Sequence, residues 1–154
     1  MTTNKDINDV LLPLKQYGGI YNDSNINTLK FKSLPCYIIC NLDESKGDGT
    51  HWISIIFSKN NVFYFDSFGE HCRSKNILSV MKRYRYKNYY FNKKIIQHPF
   101  SNLCGHYAIG CVLFLKNGNS FHDYIKMFKK RLLHNDKIIK DYLDSLSIKI
   151  NTTM

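Results

Sequence analysis

The segment that most constrains the fold runs from His106 to Leu115 and contains no charged side chain. A helix without charges is expected to be buried in the domain. The polar stretch before it, QHPFSNLCG from Gln97 to Gly105, places the thiol of Cys104 at the start of this helix. Backbone N–H groups and the helix dipole stabilise a thiolate at that end. Cys104 is therefore the first candidate nucleophile, and a base, an orienting group and an oxyanion donor must come from elsewhere in the chain.

The chain has 154 residues, the length of one domain, and we expect residues 1–154 to form a single globular unit. No apolar run reaches the roughly 18 residues that a membrane span requires, and the N-terminus lacks the apolar centre of a signal peptide. We therefore expect a soluble, intracellular protein that has no membrane partner. Five cysteines are an odd number at modest density, which favours reduced thiols over a secreted disulfide framework.

The formal net charge of +10 favours a polyanionic partner. No acidic residue lies between Glu70 and Asp123, and in part of this stretch cations alternate with aromatic rings, as on nucleic-acid surfaces. The cations are Lys82, Arg83, Arg85, Lys87, Lys93 and Lys94, and the rings are Tyr84, Tyr86, Tyr89 and Tyr90. The same composition would suit an exposed edge strand, or lysines that an AT-rich genome scatters over a solvated surface.

Two apolar segments, HWISIIF beginning at His51 and VFYFD ending at Asp66, flank a short polar stretch and predict a β-hairpin. If Phe57 pairs with Val62, the first and last residues of the hairpin lie diagonally across one face, roughly 7–8 Å apart at Cα. The imidazole of His51 and the carboxylate of Asp66 can then hydrogen-bond, whereas a slip of one residue would separate them. Both strands are otherwise apolar and should be central in a sheet. Burial of a histidine and an aspartate there is costly unless they are paired, so their presence indicates a specific role.

Apolar periodicity and capping residues predict the remaining elements. Helices are expected from Ile7 to Leu14, from Ile77 to Tyr84 after the cap Ser74, from Tyr124 to Leu133 after the capping box that Ser120 opens, and from Ile138 to Leu143 after Asn135. Strands are expected from Leu34 to Leu42 and from Tyr89 to Ile96, with a turn at Gly18-Gly19, a loop from Asp43 to Thr50 and a frayed tail from Ser147. We therefore expect an α+β fold in which a central mixed sheet packs against a buried helix that carries Cys104 and against flanking helices.

The other cysteines do not predict a metal site. Cys36 and Cys40 would lie more than ~13 Å apart on one strand, so they cannot share a zinc ion and are better interpreted as buried apolar thiols. Cys111 lies two turns deeper in the same helix as Cys104, where burial makes a thiol inert. His71-Cys72 has no second close pair and is expected to be exposed in a turn.

Four features occur in an order that resembles the adenovirus-type cysteine endopeptidases (adenains) and, more loosely, the ubiquitin-like-protein proteases of the same clan. They are His51-Trp52 on a strand, an acidic residue before Phe-Gly in Asp66-Ser67-Phe68-Gly69, Gln97, and Cys104-Gly105. The string Gln-x-Pro-x-Ser-x-x-Cys-Gly is matched throughout. The stretch Tyr17-Gly18-Gly19-Ile20-Tyr21 resembles the N-terminal segment of the family, so the resemblance covers residues from about 5 to about 120.

The resemblance implies a role for each matched residue. Cys104 would be the nucleophile, His51 the general base and acid, and Asp66 the group that fixes the tautomer of the imidazole. The side-chain amide of Gln97 and the backbone N–H of Cys104 would form an oxyanion hole, in which one donor is worth ~2.7–4 kcal/mol. His106 could compete as the base, but His51 is preferred because it has a carboxylate partner.

The resemblance also implies a narrow substrate cleft that favours glycine beside the cut, with Trp52 and Gly105 as substrate-binding residues. Trp52 could equally be a core residue on the strand face opposite His51. Adenains are stimulated by DNA and by a short viral peptide held through a disulfide. Because no cysteine lies between Arg73 and Leu103, a peptide held by a disulfide is not expected here. No cofactor is predicted, and stimulation by DNA or by a viral peptide stays open.

These features predict a cysteine endopeptidase that matures precursor proteins of a virus or virus-like element, in the host nucleus or in the virion. Two alternatives stay open: a deconjugase that removes ubiquitin-like modifiers, and a basic nucleic-acid-binding module that uses the cations from Lys82 to Lys94. We expect a monomer that acts on a polypeptide substrate, with DNA as a candidate second partner.

Overall fold

The computed structural model describes residues 2–42 and 51–150. The predicted loop from Asp43 to Thr50 and the end of the predicted tail, residues 151–154, lie outside the described residues. The described strands form one five-stranded sheet in the order β1-β2-β3-β4-β5. The strands are β1 (Tyr17–Asn22), β2 (Cys36–Asn41), β3 (Trp52–Ser58), β4 (Asn61–Phe65) and β5 (Asn88–Phe91). The helices are α1 (Asn4–Leu11), α2 (Lys75–Arg83), α3 (Cys104–Lys116), α4 (Phe121–Lys126) and α5 (Asn135–Ser145), with short 3-10 turns at Ile26–Thr28 and Leu132–His134.

The sheet is mixed, as predicted. Its inner pairs, β2 with β3 and β3 with β4, are antiparallel, whereas each outer pair, β1 with β2 and β4 with β5, is parallel. Parallel neighbours require a crossover connection. The 3-10 turn at Ile26–Thr28 lies in the connection between β1 and β2, and α2 lies in the connection between β4 and β5. The predicted α+β fold is therefore confirmed.

The hairpin of β3 and β4 has the register that the expected meeting of His51 and Asp66 requires. Phe57 pairs with Val62 and Ser58 with Asn61, so the turn consists of Lys59 and Asn60. Asn60 has φ = +70°, a left-handed conformation that asparagine tolerates better than most residues. This register places the start of β3 beside the end of β4, at the end of the hairpin opposite the turn.

Helix α3 lies against the middle of the sheet and is buried from Cys104 to Leu113. Its apolar cluster includes residues of α1, α4 and α5, whereas the cluster on the opposite face of the sheet includes α2. Side chains of β3 alternate between the two, because Trp52 and Ile56 face α3 while Ile53 faces α2. None of the described helices is long and apolar enough to cross a membrane.

The prediction of a turn at Gly18-Gly19 is wrong, because both residues belong to strand β1. A Cβ on Gly18 would lie 2.7 Å from Sγ of Cys36 and 2.8 Å from Cγ2 of Ile38, so the glycine lets β1 approach the side chains of β2. Gly19 has φ = +109°, and the register of β1 shifts between Tyr17 and Gly19. The two glycines therefore accommodate a bulge and a close strand contact rather than a reversal of the chain.

Helix α1 ends at Leu11 and not at Leu14, and two later elements also end earlier than predicted. Strand β5 ends at Phe91, because the side chain of Asn92 then bonds to the backbone of Asp66 and the chain leaves the sheet before Ile95. Helix α4 ends at Lys126 and does not continue to Leu133, which is 71% exposed. The end of β5 is therefore decided by a side chain that satisfies backbone groups in place of a regular ladder.

Replacement of Gly110 by alanine should lower the free energy of unfolding by about 1–3 kcal/mol, although alanine favours helix by ~1 kcal/mol. A Cβ at Gly110 would lie 2.5 Å from Cδ1 of Ile139 and 2.7 Å from Oη of Tyr124. That hydroxyl already donates to the carbonyl of Tyr107 at 2.7 Å, so it cannot move without losing a buried hydrogen bond. Urea unfolding measures the change, with Lys116→Ala at the exposed end of α3 as the control. A Gly110→Ala protein at least as stable as the wild type would contradict this packing.

Candidate active site

His51 and Asp66 meet where the hairpin ends, as the predicted register requires. Nε2 of His51 lies 2.7 Å from Oδ1 of Asp66. The same carboxylate oxygen accepts the backbone N–H of Phe68 at 2.8 Å. The Phe68 ring lies over the imidazole, with the two ring centroids 5.0 Å apart. The imidazole therefore has one nitrogen fixed by a carboxylate and one face covered by an aromatic ring.

The backbone of Asp66 is held by the side chain of Asn92, the residue that follows β5. The side-chain amide of Asn92 accepts the N–H of Asp66 at 3.0 Å and donates to its carbonyl oxygen. The N–H of Gly69 donates to the same carbonyl at 2.8 Å, which closes a turn. Gly69 has φ = +72°, and a Cβ there would lie 3.0 Å from the carbonyl of Lys93. The carboxylate of Asp66 is thus presented from a rigid turn that requires glycine.

Cys104 is the first residue of α3 and is 8% exposed. The backbone N–H of Trp52 lies 3.5 Å from its sulfur. The residue before the helix, Leu103, provides no side-chain cap, and the first turn contains no acidic residue. The dipole and N–H groups of the helix terminus are therefore directed at the position of Cys104.

The charge on His51 depends on its partners. Burial opposes protonation of the ring, but hydrogen bonding and charge attraction from Asp66 and from Cys104 outweigh it and raise the pKa of His51 to about 10. Its side chain is 20% exposed, so water screens these interactions little. Nδ1, the nitrogen that Asp66 does not use, is buried and makes no hydrogen bond of standard geometry within residues 2–42 and 51–150. Cys104 adds to the effect of Asp66, because both raise the pKa of this ring.

Gln97 is 1% exposed, and its amide is held at both ends. Oε1 accepts the hydroxyl hydrogen of Ser67 at 2.5 Å. Nε2 donates to the carbonyl of Ser101 at 2.9 Å and lies 3.2 Å from its Oγ. A carbonyl can only accept, so the orientation of the amide is determined. Ser67 follows Asp66 in the chain, and it therefore connects the carboxylate turn to Gln97.

Trp52 and Gly105 lie beneath the site. The indole of Trp52 is 1% exposed, and its Nε1 donates to the carbonyl of Thr2 at 3.1 Å. A Cβ on Gly105 would lie 2.6 Å from the side chain of Thr2. Thr2 itself is buried, so the N-terminal segment fills the space under the start of α3. This placement agrees with the core interpretation of Trp52.

A cavity of about 610 Å³ opens beside His51. Its other lining side chains are mostly polar or charged and include Asp66, Glu70, His71, Arg73 and Lys75. Substrate groups that reach the imidazole from this side would therefore meet charges of both signs.

The remaining candidate groups lie elsewhere. Burial, reinforced by the charge of Lys140, lowers the pKa of His106 to about 4, so this imidazole is neutral and separate from Asp66. Burial raises the pKa of Cys111 to about 12 and that of Cys36 to about 11. The prediction that Cys72 is exposed is wrong, because it is 5% exposed and packs in the α2 cluster. Within the described residues no group of His, Cys, Asp and Glu could hold a metal ion.

The predicted nucleic-acid-binding residues follow the sheet edge and the end of α2. Lys82, Arg83, Arg85, Lys87 and Lys93 are exposed. Lys94 is half-buried, and its Nζ donates to the carbonyl of Phe128 at 2.5 Å. A guanidinium nitrogen of Arg83 donates to the carbonyl of Leu29 at 3.3 Å. None of the six forms an ion pair within the part of the chain that the structure describes.

Sequence reasoning did not identify four side chains that support the site: Ser67, Asn92, Ser101 and Asp136. Ser67 and Ser101 lie inside matched motifs, so their positions were a signal that was not used. Asn92 and Asp136 carry no local signal, because each acts on a segment far from it in sequence. Their contacts can be seen only in three dimensions.

No protein-family model and no curated protein sequence matches this chain. Two crystal structures of the ASFV pS273R protease are similar to it, with TM-scores of 0.67 and 0.68. The alignments cover 98% of this chain and 69% and 68% of that protease, at 16% and 14% identity. The SUMO protease Ulp1 aligns with 70% of this chain and 54% of its own length at 22% identity, but its TM-score of 0.39 supports no inference. The chain therefore shares the fold of the ASFV pS273R protease.

The imidazolium of His51 should stay protonated to about pH 10, against ~6.5 for an unperturbed histidine. Because the folded pKa exceeds the unfolded one, the stability linked to this proton is complete below about pH 6.5. It is lost as the pH rises toward 10. Asp66→Asn removes the carboxylate and should lower the pKa of His51.

An NMR titration of the imidazole Cε1–H signals measures the pKa of His51 in both proteins. His122 is exposed on α4 and far from this hairpin in sequence, so its signal is the internal control. Titration of His51 at the same pH with and without the carboxylate would contradict the assigned partner.

Proposed function

We propose that this chain is a cysteine endopeptidase with Cys104, His51 and Asp66 as its catalytic triad. The observation that carries the proposal is geometric: the His51 ring bonds to Asp66 at 2.7 Å, and the sulfur of Cys104 lies 3.5 Å from the N–H of the next residue, Trp52. An imidazole with a raised pKa beside a thiol at a helix N-terminus favours a thiolate–imidazolium pair. Such a pair is the nucleophile and general acid that amide hydrolysis requires.

In the proposed reaction the Cys104 thiolate attacks the carbonyl carbon of the scissile peptide bond and forms a tetrahedral intermediate. The His51 imidazolium gives its proton to the leaving nitrogen as the C–N bond breaks, which leaves a thioester on Cys104. Neutral His51 then takes a proton from a water molecule whose oxygen attacks the thioester. Collapse of the second intermediate releases the carboxylic acid product and restores the thiolate–imidazolium pair.

The proposed oxyanion donors are the backbone N–H of Cys104 and the side-chain amide of Gln97. Nε2 of Gln97 directs one hydrogen at the carbonyl of Ser101 at 2.9 Å and the other toward its Oγ at 3.2 Å. The shorter bond fixes the plane of the amide. The longer contact is the weaker one, and in this proposal the substrate oxygen replaces Oγ of Ser101 as the acceptor of this hydrogen when negative charge develops there.

The proposed substrates are precursor polypeptides of a virus or virus-like element, cut beside glycine or another small residue. Two observations support this class: the fold shared with the ASFV pS273R protease, and the adenain-like order of His51-Trp52, Asp66, Gln97 and Cys104-Gly105. On this proposal the enzyme acts in the host nucleus or in the virion.

Cys104→Ala should abolish cleavage of glycine-containing peptides, because no other described cysteine lies beside His51. The loss should be about 10⁶-fold, the size seen when a triad nucleophile is removed. Hydrolysis of a fluorogenic peptide library with glycine before the reporter measures it, and Cys36→Ala removes a different buried thiol as the control. Undiminished cleavage by Cys104→Ala would contradict the assignment.

The same assay tests the deconjugase alternative when a folded ubiquitin-like modifier fused through a Gly-Gly junction is added as a second substrate. Cleavage of the short peptides at rates comparable to the fusion is expected for an endopeptidase. Cleavage of the folded fusion alone would assign the triad to deconjugation instead.

A basic surface is the second candidate function. We infer that Lys82, Arg85 and Lys87, exposed and without ion pairs among the described residues, bind a polyanion such as DNA. Binding at this surface is compatible with catalysis at Cys104.

Replacing Lys82, Arg85 and Lys87 together with glutamine should weaken DNA binding and flatten its salt dependence. Each lost phosphate contact should reduce the slope of log K against log salt by about 0.9 for duplex DNA. Fluorescence anisotropy over a salt series measures the slope. Lys5→Gln with Lys137→Gln, which removes cations already paired with Asp9 and Asp141, is the charge control. Equal slopes for the triple variant and the wild type would contradict binding at this surface.

A further inference from the structure

The first turn of α5 contacts both ends of the segment that carries Gln97. Nδ2 of Asn135, a fully buried side chain, donates to the carbonyl of Ile96 at 2.7 Å. The next residue, Asp136, accepts the hydroxyl hydrogen of Ser101 on Oδ1 at 2.8 Å. Residues 96–101 are irregular backbone, so Asn135 supplies a backbone contact that a sheet would otherwise provide, whereas Asp136 holds the side chain of Ser101.

Donor and acceptor can be assigned in each hydrogen bond of the Ser101 hydroxyl. Its Oγ lies 3.2 Å from Nε2 of Gln97 and 3.2 Å from the backbone N–H of Leu103, and both of those groups donate. Because the hydroxyl accepts from both, its single hydrogen is left for the carboxylate of Asp136, which can only accept when ionised. The contact between Ser101 and Asp136 is therefore charge-assisted and stronger than a neutral one.

The same oxygen of Asp136 also reaches the helix of the nucleophile. Oη of Tyr107 donates to Oδ1 of Asp136 at 2.8 Å. Tyr107 lies in α3 about one turn after Cys104, and it is fully buried. One carboxylate oxygen thus joins Ser101, which holds the amide of Gln97, to the helix that begins at Cys104.

We infer that Asp136 is a positioning residue for the oxyanion donor. It fixes Ser101, whose carbonyl bonds to Nε2 of Gln97, at a set distance from α3. Without this link the amide of Gln97 would lose its alignment relative to the sulfur of Cys104, although the sulfur and His51 would be unchanged. The inference rests on the proposed function, because it assigns Asp136 to the transition state of that reaction.

Asp136→Ala should lower kcat for peptide hydrolysis about 10- to 100-fold, because small misplacements of a catalytic donor can cost up to ~10²-fold. KM should change little, since the ground-state carbonyl makes weak use of the oxyanion hole. Asp136→Asn keeps an acceptor oxygen for Ser101 and should recover most of the rate. Asp141→Ala removes an exposed carboxylate from the same helix and is the matched control.

Two thiol probes separate positioning from general damage. Iodoacetamide alkylates Cys104 without forming an oxyanion, so its rate should be the same in the wild type and in Asp136→Ala. The aldehyde analogue of the best-cleaved peptide forms a tetrahedral oxyanion on Cys104, so its affinity should fall in parallel with kcat. A fall in both measurements would indicate a disturbed thiol and would overturn the role proposed for Asp136.

Ser101→Ala provides the test if Asp136→Ala does not fold. It removes the hydroxyl that connects Asp136 to the segment of Gln97, and it should lower kcat and aldehyde affinity at least as much. If both variants fold, their effects should not add, because they break one chain of contacts. Additive losses would overturn the link between Ser101 and Asp136.

The outcomes distinguish the two proposals. If the wild type shows no hydrolysis that depends on Cys104, the proposed function fails and the role of Asp136 fails with it. If the wild type hydrolyses peptides and Asp136→Ala, or Ser101→Ala in its place, is as fast, only the positioning role fails.

Discussion

The burial of α3 is the constraint on which the rest of the structure depends. The helix has no charged residue before Lys116, and it is buried from Cys104 to Leu113. The sheet must cover one side of it, and α1, α4 and α5 must cover the others. Because Cys104 is the first residue of this helix, the apolar contacts that build the core also set the position of the thiol. Any change that moves α3 relative to β3 would therefore move the candidate nucleophile away from His51.

The charged pair of His51 and Asp66 lies at the border of this core, so nearby groups must supply its hydrogen bonds. Burial opposes the positive charge of His51, and the influence of Asp66 and Cys104 outweighs it. Asp66 is itself held by the backbone N–H of Phe68 and, through its own backbone, by Asn92. Each of these contacts compensates for water that was lost, so removal of one partner leaves a buried polar group unpaired.

The segment of Gln97 shows a different solution to the same problem. It is irregular, yet its polar groups are satisfied by contacts within the segment and by side chains from two other parts of the chain. Ser67 holds one end of the Gln97 amide, Ser101 holds the other, and Asn135 bonds to the carbonyl of Ile96. Sequence periodicity alone describes α5 as a packing helix, yet its first turn also forms hydrogen bonds with this segment. Rigidity in this segment comes from hydrogen bonds rather than from regular secondary structure.

The sequence by itself determined the features whose signal is local. The two apolar segments and the short polar stretch between them predicted the hairpin in which His51 and Asp66 can meet, and the charge-free segment predicted α3. Only the tertiary structure decided the parallel outer strands, the place of Gly18 inside β1 and the contacts of Asn92 and Asp136. The reason is physical: hydrophobic periodicity and helix capping depend on residues a few positions apart, whereas Ser101 and Asp136 are 35 positions apart. A single polar contact over such a distance leaves no pattern in the sequence, because its partner is chosen by packing.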